Sequence, residues 1–169
     1  MSMRTRAAVT ACLAAVGAVV LAPAPAGAVS PDVVVSQVYG GGGNSGATYT
    51  NDFIELYNRG TTPVDLTGWS VQYASAAGTS WQVTPLAGTL ASGATYLVAE
   101  AAGAGGTTPL PAADATGSVS LAAGSGKVAL VSAATALTCG AACHAAAGVV
   151  DFVGYGAAND FETAAAPTR

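Results

Sequence analysis

Asp52-Phe53-Ile54-Glu55-Leu56-Tyr57-Asn58, followed by Val64-Asp65-Leu66-Thr67-Gly68-Trp69-Ser70-Val71, is the stretch whose reading decides the fold. It reads as two extended segments joined by the polar Arg59-Gly60-Thr61-Thr62-Pro63. Side chains alternate across a strand, so Ile54 and Leu56 share one face while Phe53, Glu55 and Tyr57 share the other. Ile54 and Leu56 are expected to face inward, with Trp69 packed beneath them as the largest piece of core. Trp69, Val71 and Tyr73 then fall on one face of the following strand, and Ser70 and Gln72 on the other. Asp65 and Thr67 suit the turn into Gly68, where short polar side chains bond local N–H groups. Glu55 is expected to be solvated or locally bonded, a ligand or metal role being the other reading.

The same pattern continues outward. Asp32 to Tyr39 is Val-rich, and β-branched residues favour a pleated backbone. Gly40 to Gly46 is expected to be a mobile loop. Trp81-Gln82-Val83, Thr95 to Ala99, Lys127 to Val131 and Val149 to Val153 add further short strands between Gly-, Pro- or Ser-rich turns. About eight strands of this kind predict an all-β sandwich or barrel. Ala141 to Ala147 is short and lacks an apolar stripe, so it predicts a loop with one helical turn at most. Ala101 to Gly117, with Pro109 and Pro111 and few anchors, is expected to be a long mobile connection.

Residues 1–28 read as a separate unit. Arg4 and Arg6 precede the apolar run Ala7–Ala22, and Pro23 and Pro25 end any helix. Ala26-Gly27-Ala28 then provides small residues for cleavage between Ala28 and Val29, the pattern of a secretory signal peptide. The run is shorter than the roughly 20 residues of a membrane span, so no stable insertion is expected. Residues 29–169 form one domain-sized body, expected outside the cell. Loss of Arg4 and Arg6 leaves three cations against nine acids, a net charge of −6. Arg59, Lys127 and Arg169 are scattered, and phosphate backbones are gripped only by clustered cations. No direct nucleic-acid binding is expected.

These blocks, with the later Gly93-Ala94-Thr95-Tyr96-Leu97-Val98, resemble the lamin tail domain. The opening Val33-Val34-Val35-Ser36-Gln37-Val38-Tyr39-Gly40-Gly41-Gly42 is similar to the start of its bacterial, secreted branch. The likeness spans roughly residues 32 to 160, with the blocks in the family's order. It implies an immunoglobulin-like β-sandwich and a non-catalytic module for adhesion, targeting or contact with a protein or cell-surface partner. In the bacterial branch such modules accompany secreted nuclease or phosphoesterase domains. The alternative is therefore an accessory portion of such an enzyme, with its catalytic domain beyond residue 169. Family members continue past Asp160-Phe161-Glu162 into a segment that closes the sandwich, so a truncated last strand is expected here.

Reactive motifs are incomplete. Cys139 and Cys143 are the cysteines of residues 29–169, and in an oxidising compartment they are read as a disulfide. His144 makes the run Cys-Gly-Ala-Ala-Cys-His, one residue longer than haem-attachment spacing, and a zinc site would need a fourth ligand. Gly124-Ser125-Gly126-Lys127 imitates a phosphate loop, but Leu121 and Val128 stand where Gly and Ser or Thr are required. It reads as a turn before a strand. Ser45 lacks the second glycine of a nucleophile elbow. Asp52 suits turn capping, with a weak cation site as the other reading, and the Gly40–Thr50 loop is a third, small-molecule possibility. No catalytic residue, cofactor or metal is expected.

Overall fold

The computed structural model describes residues 30–168. The expected cleavage point at Ala28 and Val29 lies outside them. Ten strands form: β1 (Val33–Tyr39), β2 (Asn51–Asn58), β3 (Val64–Asp65), β4 (Ser70–Ser75), β5 (Gln82–Pro85), β6 (Thr89–Leu90), β7 (Thr95–Ala102), β8 (Ala115–Thr116), β9 (Gly126–Val131) and β10 (Val149–Tyr155). One sheet runs β1-β2-β7-β8 and the other β10-β9-β4-β5, with β3 and β6 as a small ribbon. All pairings among them are antiparallel except β7 with β8. The sequence pattern leads to an expectation of about eight strands; of the ten, β3, β6 and β8 hold only two residues each.

The two segments read first do not pair with each other. β2 lies between β1 and β7, while β4 lies in the opposite sheet. The polar Arg59–Pro63 connection therefore leads from one layer towards the other. Asp65 Oδ1 accepts the Thr67 N–H at 2.9 Å and begins the turn, and the Thr67 hydroxyl, with this N–H second, holds its carboxyl below the ordinary range. Trp69 N donates to Leu66 O at 2.9 Å and closes it.

The main core lies between the sheets. Ile54, Leu56, Tyr96 and Val98 meet Val71, Tyr73, Val128 and Leu130, with Leu66 and Leu90 filling one end. Ile54 and Leu56 are 1% and 0% exposed. Trp69 is only half-buried at the margin of this cluster, and Leu66 sits fully inside in its place. The tight turn at Gly68 sends the smaller side chain inward and leaves the indole at the rim.

Ser70 and Gln72 lie on the other face of β4. They leave the core face as their alternation requires, yet both are fully buried. The segment after β9 covers that outer face. Ser70 Oγ donates to Ala133 O at 2.6 Å, and Gln72 bonds Thr135 O and Leu137 N through its amide. A second core forms under the cover from Ala74, Trp81, Ala129, Val131, Cys143 and Phe152. A disulfide joins Cys139 to Cys143, with Cα atoms 5.5 Å apart, and a single 3₁₀ turn follows at Cys143–Ala145.

The Ala101–Gly117 connection is not loose. Gly103 N, Gly105 N and Thr108 N donate to Thr50 O, Gly43 O and Thr48 O, and Thr50 N returns a bond to Thr108 O. Small side chains permit this lacing. A Cβ at Gly103 would come within 2.5 Å of the Gly43 carbonyl oxygen.

Candidate functional site

β1 ends at Tyr39, and the backbone then loops over the sheet edge before β2 begins at Asn51. Gly42 lies so close to Asn51 that a Cβ would fall 2.0 Å from its carbonyl. The Gly42 N–H donates to Asp52 Oδ1 at 2.6 Å, and the Leu121 N–H to Asp52 Oδ2 at 2.7 Å. Burial raises the Asp52 carboxyl above its ordinary pKa, and the N–H groups of Leu121, Gly42 and Gly41 offset part of that. Both oxygens face backbone donors, so Asp52 caps the glycine turn and is not arranged as a cation site. Beside it, Tyr155 Oη donates to Ala122 O at 2.7 Å, and Ala122 N donates to Tyr73 Oη at 3.1 Å.

Three aromatic rings stand on this base. Tyr39 stacks on Phe53 with centroids 5.3 Å apart, and Tyr49 meets both at right angles, 5.2 and 5.5 Å away. Tyr39 Oη also accepts the Thr48 N–H at 3.0 Å, tying the far end of the loop back to β1. Phe53 is buried, whereas Tyr39 and Tyr49 are half-buried. The loop, the end of β1, the end of β10 and residues 166–168 enclose a cleft of about 830 Å³. Ser45 stands on its wall. Glu55 is half-buried nearby and accepts hydrogen bonds from Ser36 Oγ at 2.7 Å and Gln37 Nε2 at 3.3 Å, a local role.

Other polar side chains fasten strand edges. The Val33 N–H donates to Ser30 Oγ at 3.1 Å, and the Val35 N–H to Asp151 Oδ2 at 2.7 Å. On β10 the Phe152 N–H donates to Glu162 Oε1 at 3.0 Å, and Ala166 bonds Gly154 O and Gly156 N. Burial raises Asp151, against the Val35 N–H and the Arg59 charge. Burial and then the Asp151 charge push Glu162 up to about 7.

Under the outer cover, Lys127 is fully buried. Its Nζ donates to Gly78 O at 2.9 Å, Gly140 O at 2.5 Å and Asn159 Oδ1 at 3.0 Å, and lies 5.6 Å from the Trp81 ring centre. Burial lowers its pKa. His144 Nδ1 lies 2.5 Å from Asp160 Oδ1, while Asp160 Oδ2 accepts the Cys143 and His144 N–H groups. Glu100, raised chiefly by burial, bonds Thr84 Oγ1 and the Val119 N–H.

Among the described residues no hydrogen bond joins Ser45 to His144, and no three His, Cys, Asp or Glu side chains gather as metal ligands. No helix among them is long and apolar enough to cross a membrane. Sequence reasoning missed Lys127, Glu100, Asp151 and Glu162. A charge inside an otherwise apolar strand, as in Gly126–Val131, was the available signal. No curated protein matches the chain. A family model described as Lamin Tail Domain matches residues 26–157, most of the chain.

Proposed function

The chain belongs to the lamin tail domain family, and on that premise we propose that it is an exported, non-catalytic binding module of the bacterial, secreted branch. One observation carries the reading. The buried ionic side chains Asp52, Glu100, Asp151, Asp160 and Lys127 each turn onto backbone groups. Groups held this way fix loops and strand edges, and an acid–base catalyst needs an atom free to meet a substrate. The immunoglobulin-like body therefore acts as a rigid support for its loops. Export is supported by the Arg4–Ala28 pattern and by the Cys139–Cys143 disulfide, which suits an oxidising compartment.

Expression in a secreting bacterial host tests both halves. The culture supernatant is expected to contain a chain beginning at Val29 and lighter than its dithiol by two hydrogens, by mass spectrometry. The purified protein is expected to leave nucleic acid, phosphoester and peptide substrates intact. A turnover abolished by His144→Ala or Asp160→Asn would overturn the non-catalytic reading, and retention of the full chain inside the cell would overturn export.

A further inference from the structure

The cleft of about 830 Å³ falls within the range of roughly 300–1,000 Å³ typical of ligand sites. Among the described residues its lining contains no carboxylate, ammonium, guanidinium or imidazole group, and the neighbouring Glu55 carboxylate is taken up by Ser36 and Gln37. The lining offers the half-buried rings of Tyr39 and Tyr49 next to the amide of Asn44 and the hydroxyls of Ser45 and Thr48. A charged ligand would leave water here without gaining a free counter-charge among the described residues, so the cleft favours a neutral one.

An extended peptide is the obvious neutral candidate, because β1 and β10 are both edge strands. Part of each edge is already occupied. Ser30 and Asp151 take the Val33 and Val35 N–H groups of β1. Glu162 takes the Phe152 N–H of β10, and Ala166 takes Gly154 O and Gly156 N. An added strand gains its affinity from a row of such main-chain bonds, and here several places in that row are already taken. Side chains are therefore the better source of recognition.

Aromatic faces beside a ring of uncharged donors and acceptors fit a pyranose, whose C–H face is apolar and whose rim is hydroxylated. The loop is also fixed in advance, by Asp52 on Gly42 and by Tyr39 on Thr48. Little ordering is then left for binding to oppose. We propose that the cleft at the Gly40–Thr50 loop binds a neutral oligosaccharide chain, and the proposal rests on the binding-module reading above.

Titration of the mature protein with cellohexaose, laminarihexaose and the N-acetylglucosamine hexamer, followed by amide chemical shifts, tests this. At least one probe is expected to bind with a Kd of about 1 mM or tighter, with shifts confined to Ser36–Thr50 and the end of β10. Tyr49→Ala is expected to weaken that binding about tenfold or more, as loss of a stacked ring does. Asn44→Ala, on the exposed part of the loop, reads the same site should Tyr49→Ala unfold the aromatic cluster. Tyr57→Ala, on the exposed outer face of β2 and away from the cleft, is expected to bind as the parent does. No binding of any probe at about 10 mM, shifts elsewhere, or equal weakening by Tyr57→Ala would overturn the proposal. Probe recovered as shorter fragments would instead overturn the non-catalytic reading, so the two failures are distinct.

Discussion

Lys127 shows what a single residue can hide. In Gly126-Lys127-Val128-Ala129-Leu130-Val131 it stands second in a strand, where a turn-flanking lysine is ordinarily solvated. Its ammonium instead joins Gly78 O, Gly140 O and Asn159 Oδ1, three groups from separate loops. Lys127→Met retains the stem but leaves those acceptors without their donor. We expect it to cost about 3 kcal/mol of unfolding free energy, measured by urea denaturation. The clue in the sequence was the unbroken apolar run Val128–Val131 that follows it, which marks a strand covered on both faces. Nothing in the sequence named the three acceptors, because each is set by a distant loop. Asp52 was more legible: a carboxylate next to a glycine-rich turn has a capping role to fill, and it fills one.

At the scale of the element, the segments that fasten strands carry the sharper expectations. The Cys139–Cys143 loop presents Cys139 O to Trp81 Nε1 at 2.9 Å, and so ties the outer cover to the second core. Replacing both cysteines by serine should lower stability by about 2 kcal/mol on the chain-entropy account. Trp81 fluorescence should shift to longer wavelength before the remaining structure melts. Glu162 gives a pH dependence. Its folded value of about 7 exceeds the ordinary 4.5, so the folded state holds this proton more tightly than the unfolded chain. Its contribution is fully present below about pH 4.5, and is lost as pH rises through about 7. Asp151, Arg59 and His144 are the other charges that act on it, and Asp151 is raised too. The Tm should therefore fall between about pH 5 and pH 8, and Glu162→Gln should flatten that slope. An unchanged slope in the variant would place the effect elsewhere. Alternation along β4 separates its two faces but carries no sign that Ser70 and Gln72 are buried. Their cover is built from Ala133, Thr135 and Leu137, too small and too irregular to announce a layer.

For the whole molecule, two sheets around one core follow from the strand pattern, because period-two segments with one apolar face must bury it against another sheet. Leu56 sits at the centre of that arrangement, fully buried. Leu56→Ala should cost about 3 kcal/mol by denaturant titration, with the slope of the transition unchanged. The cleft was less legible. Its walls come from the Gly40–Thr50 loop, two strand ends and residues 166–168, and only the folded chain brings them together. The glycines were visible, but the ring cluster of Tyr39, Tyr49 and Phe53 depends on the register of β1 against β2, which includes a bulge between Val35 and Gln37.

The buried ammonium has a practical corollary. Lys127 is the sole lysine of the polypeptide, and its nitrogen is engaged on three sides. Reagents that acylate primary amines should react at the α-amino group alone while the fold persists. A biosensor surface or dye coupled through that chemistry would present every copy in one orientation, and late labelling of Lys127 would serve as a clock for opening of the outer layer.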